Sequence, residues 1–347
     1  MRALYRADGG TAIGTGHVLR GLRIAEALRA LRPAEFTFVS RPDPWAVERI
    51  RREGSAVEEL VGDELDALFA AARRIRPDLV ALDRLETAPA LTRPLRELGC
   101  PLLTFDDVGE GRFSCDALIN ILEEEPSPQR LAAADVALYQ GPAYAVLPPG
   151  YDAAPRPRAV SAQVGSILVT MGGGDPLGLS VKVTRALASL IGARREGLSG
   201  DVHVTVVAGA ASPWLDDLQQ LARTASGRIV VKRAVPRLLD EFLQADLALV
   251  AGGLTMHEAL ATGTPAIAVC QEVRHQAEMA ARFEAQGTMV SLGRGQELHE
   301  DGIAQAVASL AADLPRRRAL SRRGQELVDG KGTQRVAKIF ADLGRQR

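Results

Sequence analysis

The chain is poor in cysteine. Its 347 residues contain three, Cys100, Cys115 and Cys270, far apart and without a CxxC pair. That excludes a disulfide framework and a cysteine-based zinc site, and it fits a reducing cytoplasm. No apolar run reaches the roughly 18 residues that a membrane span needs. The N-terminus enters a β-type run at Ala3 and lacks the basic-then-apolar pattern of a signal peptide. A cytoplasmic protein without a membrane span is expected. Excess charge is missing too: 42 Lys and Arg against 43 Asp and Glu leave a net charge of −1, so nothing draws the chain to nucleic acid or to an anionic bilayer. The arginines alternate with acids, as in Glu48-Arg49-Ile50-Arg51-Arg52-Glu53, which is the pattern of a solvated helix face.

What is present is the composition of a globular protein, 46% hydrophobic and 24% charged. The length exceeds what one hydrophobic core fills, so two domains are expected. Short β-type runs at 3–5, 35–39, 78–82, 101–105, 117–120 and 136–139 alternate with helical patterns, which predicts an α/β domain with a parallel sheet. The segment 148–157 is turn-rich and aperiodic and reads as a linker. The same grammar restarts at 166–171 and continues through 202–207, 229–231, 247–250, 266–269 and 289–292, with a helical tail from Pro315. The expected architecture is two Rossmann-like domains, 1–150 and 151–347, facing across a cleft.

The run Ile13-Gly14-Thr15-Gly16-His17 follows the first β-run and its turn Arg6-Ala7-Asp8. Two glycines let backbone pass close to a ligand, and Leu19, Leu22, Ala25, Leu28 and Leu31 lie at helical spacing beyond them. His17 therefore sits at a helix N-terminus over the C-terminal edge of a parallel sheet, where open α/β sheets bind ligands. The positive helix end disfavours an imidazolium, so a neutral ring there serves as a general base. A capping or packing histidine is the alternative.

In the second half, Gly172-Gly173-Gly174-Asp175, Ala251-Gly252-Gly253-Leu254-Thr255 and the segment from Gln271 to Gln276 emerge at one sheet edge. Glycine turns entering helices present backbone N–H groups to an anion such as a diphosphate, although a Gly-Gly turn by itself also makes a plain βα connection. Glu258, placed on the first turn of its helix, has two acceptor oxygens for vicinal ribose hydroxyls, or is an acid favoured near the positive helix end. His257 and His203 read as packing or solvent-facing, and His299 as helix surface.

The segment from Arg6 to Arg20 resembles the signature of the PseG family of UDP-sugar hydrolases of pseudaminic acid biosynthesis, which includes SpsG-like spore-coat polysaccharide proteins. Thr104-Phe105-Asp106-Asp107, Ala117-Leu118-Ile119-Asn120, Gly141-Pro142-Ala143-Tyr144-Ala145-Val146-Leu147, Gly172-Gly173-Gly174-Asp175-Pro176 and Gly252-Gly253-Leu254-Thr255-Met256-His257-Glu258 are similar to family segments in the same order. The resemblance implies a GT-B fold that binds UDP in the C-terminal domain. It implies hydrolysis of UDP-2,4-diacetamido-2,4,6-trideoxy-β-L-altropyranose by water, with inversion at the anomeric carbon and without metal or cofactor, for nonulosonic acid biosynthesis. His17 matches the catalytic position. Arg6, Asp8, Gly14, Gly16, Arg20, Asp83, Asn120 and Tyr144 are implied on the sugar or water side. Gly172, Gly173, Gly174, Asp175, Gly252, Gly253, Leu254, Thr255, Glu258 and Gln276 are implied on the nucleotide side. The expected partner is a small-molecule UDP-sugar, and a monomer is expected. Two departures fall near the sugar: Pro148 replaces a family arginine, and Leu122 a family amide. They leave open another UDP-sugar, or a GT-B glycosyltransferase in which His17 deprotonates an acceptor hydroxyl. A non-catalytic nucleotide-sugar-binding protein is a third possibility.

Overall fold

A computed structural model describes every residue except 11–13, 123, 194, 211, 236, 273, 346 and 347, with backbone alone at 274. The chain forms two compact units, Met1–Pro148 with Lys331–Arg347, and Pro149–Gly330.

The first unit runs β1 (Arg2–Ala7), α1 (Gly16–Leu31), β2 (Glu35–Ser40), α2 (Pro44–Arg52), β3 (Ala56–Glu59), α3 (Glu64–Ile75), β4 (Leu79–Asp83), α4 (Pro89–Arg96), β5 (Leu102–Phe105), β6 (Ala117–Asn120), α5 (Pro128–Ala133) and β7 (Ala137–Gln140). All pairings are parallel, in the order β3-β2-β1-β4-β5-β6-β7. Leu79, Val80, Ala81 and Leu82 of β4 are fully buried, as expected of a strand covered by helices on both faces. Chain order reverses between β1 and β4, so the loops leaving these two strands diverge and open a crevice at their C-terminal ends. Strand β3 has no counterpart among the β-type runs read from the sequence, because Ala-Val-Glu-Glu is too short and too polar to carry a periodic signal.

The second unit runs β8 (Val164–Thr170), α6 (Leu179–Ala188), β9 (Leu198–Ala208), α7 (Leu215–Thr224), β10 (Ile229–Arg233), α8 (Leu238–Gln244), β11 (Leu247–Val250), α9 (Leu254–Thr262), β12 (Ala266–Cys270), α10 (Arg274–Ala285), β13 (Val290–Arg294), α11 (Glu300–Ala312) and α12 (Leu314–Leu327). Its parallel sheet has the order β10-β9-β8-β11-β12-β13, with the reversal between β8 and β11. A core of Ile167, Val169, Val204, Val206, Leu247, Leu249, Ile267 and Val269, with Leu187 and Val307 from the helices, fills it.

The chain's course differs from expectation at the tail. The tail was assigned to the second domain, but α13 (Gly332–Leu343) packs in the first. Its Phe340 stacks 6.2 Å from Phe36, and lies 6.2 Å from Phe105 and 6.5 Å from Tyr5. An amphipathic pattern shows that a helix buries one face but not which core receives it. The chain passes from the first unit to the second within the 148–157 segment, between Pro148 and Pro149. Tyr151 is buried and its hydroxyl donates to Glu258 Oε1 at 3.0 Å, and Arg156 donates to the carbonyls of Ala261, Gln325 and Val328. The segment is bound to the second unit.

Candidate active site and nucleotide loops

His17 lies in the first turn of α1, which begins without a side-chain N-cap at Thr15. Gly10 and Gly14 exchange both backbone hydrogen bonds at 3.0 Å. Ile13, named in the sequence motif, lies outside the described residues. Gly14 has φ +89, a left-handed conformation that favours glycine, and the space around the Cβ positions of Gly14 and Gly16 is open.

The loop after β1 and the end of β4 meet at the reversal of strand order. There His17 Nδ1 lies 2.6 Å from Asp83 Oδ1. A carboxylate only accepts, so Nδ1 carries a proton, and in the neutral ring Nε2 keeps its lone pair. The His17 side chain is 32% exposed while Asp83 is fully enclosed. Asp83 also accepts from the Tyr5 hydroxyl at 2.6 Å, from Arg20 Nε at 2.8 Å and from Arg20 Nη2. Arg20 Nη1 donates to Asp106 Oδ2, and the guanidinium lies 4.8 Å over the Phe105 ring. Asp106 Oδ1 in turn accepts from the backbone of Ile121 at 2.7 Å and Leu122 at 3.0 Å. Burial pushes the Asp83 carboxyl up, but the Arg20 charge and the hydrogen bonds from His17 and Arg20 win and hold it well below the usual carboxylate range. Asp83 therefore acts on His17 directly. Arg20 is 13% exposed, with its donors directed at Asp83 and Asp106. Both residues are expected among the sugar contacts; the structure places them in one buried network with His17. Asp106 and Tyr5 received no role from the sequence, where the acid pair Asp106-Asp107 at a strand end was the available signal.

Arg6 was also expected to contact sugar. Its side chain is wholly buried on the other face of β1, donating to Asp8 Oδ1 at 2.5 Å and Oδ2 at 2.8 Å and to Glu64 Oε1 at 2.6 Å. It serves to hold Asp8, which remains 22% exposed at the strand's end. Arg84 joins through Glu64. Asn120 ends β6 in a buried position, its carbonyl accepting from Gly141 N at 2.9 Å. Tyr144 lies in the short turn Pro142–Tyr144, edge-on to Tyr139 with ring centroids 5.8 Å apart.

In the second unit the glycine loops leave β8 and β11, again at the reversal of strand order. Space around the Cβ positions of Gly173, Gly174 and Gly253 is open, while a Cβ on Gly252 would meet Gln276 Cβ at 2.4 Å. Asp175 was expected among the nucleotide contacts; it is buried, and its carboxylate caps α6 through Leu179 N and Ser180 N, both at 2.9 Å, and accepts from Gln271 Nε2 at 2.9 Å. Its carboxylate shapes the glycine turn. Gln276 Oε1 accepts from Gln271 N at 3.3 Å, and Thr255 Oγ1 donates to the Ala251 carbonyl; Leu254 opens α9. Glu258 falls on the second turn of α9 and is nearly enclosed, which differs from the expected first-turn position. Gly253 has φ +126 and ψ −150, a conformation essentially restricted to glycine. Gly253→Ala is expected to lower stability by about 1–3 kcal/mol through backbone strain, with no clash to relieve; urea denaturation measures it, and an unchanged midpoint would refute the strain.

Among the described residues no group of three or more His, Cys, Asp or Glu side chains is gathered to hold a metal ion, and no helix is long and apolar enough to cross a membrane.

No family model matches the chain. It is 30% identical to the spore coat polysaccharide biosynthesis protein SpsG of Bacillus subtilis (strain 168) over 328 residues, 91% of each chain. The chain belongs to the PseG/SpsG family. The fold of this SpsG-family protein is shared by solved structures at much lower identity. MurG of Acinetobacter baumannii superposes with a TM-score of 0.71 at 15% identity, covering 98% of this chain and 99% of that one. MnaA of S. aureus, solved with UDP, does so with a TM-score of 0.62 at 12% identity, covering 99% and 97%. The SpsG-family chain thus has the GT-B fold, with two parallel-sheet α/β domains.

Proposed function

We propose that the protein hydrolyses a UDP-activated diacetamido-trideoxy sugar at the anomeric carbon, releasing UDP and the free sugar for a pseudaminic-type acid. The observation that carries this reading is the His17–Asp83 pair: a partly exposed imidazole whose Nδ1 proton is held by a buried carboxylate, leaving Nε2 as a base. Family membership supplies the nucleotide-sugar context. His17 Nε2 takes a proton from water as the water oxygen bonds to the anomeric carbon. The bond from that carbon to the diphosphate oxygen breaks, and UDP leaves with the electron pair. Attack opposite the leaving group inverts the centre. Backbone N–H groups of the Gly172–Gly174 and Gly252–Gly253 turns are assigned to the diphosphate, and Glu258 to the ribose hydroxyls. Asp8, Asn120 and Tyr144 are assigned to the sugar side.

The test is turnover of UDP-2,4-diacetamido-2,4,6-trideoxy-β-L-altropyranose in EDTA and H₂¹⁸O, with no acceptor present. UDP and free sugar in equal amounts, with ¹⁸O on the sugar, are expected. No release without acceptor, and release once a hydroxyl acceptor is added, would replace the hydrolase by a glycosyltransferase in which His17 deprotonates that hydroxyl. UDP binding with no turnover of any UDP-sugar would reduce the protein to a binder.

A further inference from the structure

The proton acceptor at this site is one member of a buried charge cluster, and the cluster has more to do than orient a ring. β1 contributes Tyr5, α1 contributes His17 and Arg20, the end of β4 contributes Asp83, and the residue after β5 contributes Asp106. The side chains of Asp83 and Asp106 are 0% and 1% exposed, and that of Arg20 13%. Two carboxylates thus face one guanidinium. Tyr5 stays a neutral donor, because burial and the Asp83 charge push its hydroxyl well above its usual range. With His17 neutral the cluster has one negative charge left; without Arg20 it would have two.

Resting on the reading of His17 as the base, we infer that Arg20, clamped by Asp106, is a positioning residue that balances the Asp83 charge and holds the His17 ring with Nδ1–H on Asp83 and Nε2 turned away from it. Arg20 meets Asp83 with two donors and Asp106 with a third, and its Nη2 lies 3.3 Å from His17 Nδ1. Since Nδ1 carries the proton, that contact sets cation beside N–H, both donating to Asp83 Oδ1, so the Arg20 charge is felt at the ring. The one negative charge that remains accepts the imidazolium formed during reaction. Asp106 is itself fixed by two backbone N–H groups and so prevents the guanidinium from swinging away.

The experiment is ¹⁵N NMR of histidine-labelled protein titrated from pH 5 to 9 without ligand, the His17 signal being assigned by its loss in His17→Gln among the five histidines. Arg20→Gln is expected to move the His17 midpoint up by about one unit or more, and Asp106→Asn to move it down, because the two changes remove charges of opposite sign. Arg20→Lys retains the charge without the fork, so its midpoint stays near the wild type while kcat falls. If Arg20→Gln does not fold, Asp106→Asn and Arg20→Lys decide. Midpoints that do not move, or that move in the same direction in Arg20→Gln and Asp106→Asn, overturn the inference. Because the titration needs no substrate, it separates two failures. Shifts as expected together with turnover in His17→Ala would sink the hydrolase base and leave Arg20's role standing. Unmoved midpoints with a dead His17→Ala would do the reverse.

Discussion

His17→Ala is expected to lower kcat by about 10³-fold, within the range by which a positioned general base accelerates proton transfer, while UDP affinity measured by calorimetry stays within about threefold because the interaction lost is made in the transition state. Asp83→Asn should cost nearly as much, for a reason that can be read from the hydrogen bonds. Each Asp83 oxygen already accepts more than once: Oδ1 from His17 Nδ1 and Arg20 Nη2, Oδ2 from Tyr5 and Arg20 Nε. An amide nitrogen at either position faces only donors. At the Oδ1 position it forces His17 to present Nδ1 as acceptor and moves the proton to Nε2, the wrong tautomer for a base. At the Oδ2 position it leaves Tyr5 and Arg20 Nε opposed to an N–H. Asp83→Asn is therefore expected to lose at least 10²-fold in kcat, with a smaller loss in Asp83→Glu wherever the longer arm still reaches His17. Turnover by Asp83→Asn at the wild-type rate would show that the pair is structural.

The largest expected effect on stability lies away from the site, at Arg158. Its guanidinium donates to the carbonyls of Phe242 at 3.0 Å, Leu243 at 3.2 Å, Ala245 at 2.6 Å and Thr262 at 3.4 Å, and to Thr264 Oγ1 at 2.9 Å. These carbonyls belong to the C-terminal ends of α8 and α9 and the residues just beyond, where a helix leaves its last acceptors without partners and presents the negative end of its dipole. Burial lowers the Arg158 pKa, with Asp246 opposing, yet guanidinium remains charged at any ordinary pH. Arg158→Met keeps much of the stem's packing and strands several acceptors, each costing about 1–3 kcal/mol when buried. Relaxation and entry of water recover part of that, so a net loss of roughly 3 kcal/mol is expected, or a fall of about 6–12 °C in Tm for a unit of this size. Arg158→Lys should fall between, since an ammonium matches the dipole but cannot reach acceptors on two helices at once. Calorimetry on the full chain measures both, and a Tm within about 2 °C of wild type for Arg158→Met would show that the straps contribute little.

Local patterning by itself determined much of this protein. Alternating apolar runs and helical periods marked nearly every strand of both sheets, because a parallel strand buried on two faces must be apolar throughout, as in Leu79–Asp83 and Ala266–Cys270. The Gly14-Thr15-Gly16-His17 run placed a histidine at a helix N-terminus, since short-range chemistry is enough to see a strand, a glycine turn and a helix in succession. What the tertiary structure alone decided depends on long-range pairing. His17 and Asp83 are 66 positions apart in the chain and meet only because β1 and β4 are neighbours at the reversal of strand order. Arg6, Arg20 and Asp83 look alike in sequence as polar residues near a site. Only burial and partners show which side chains each of the three meets, because a charged group inside a protein must be paired. The same holds for α13, whose apolar face was visible in the sequence while the core that accepts Phe340 was not.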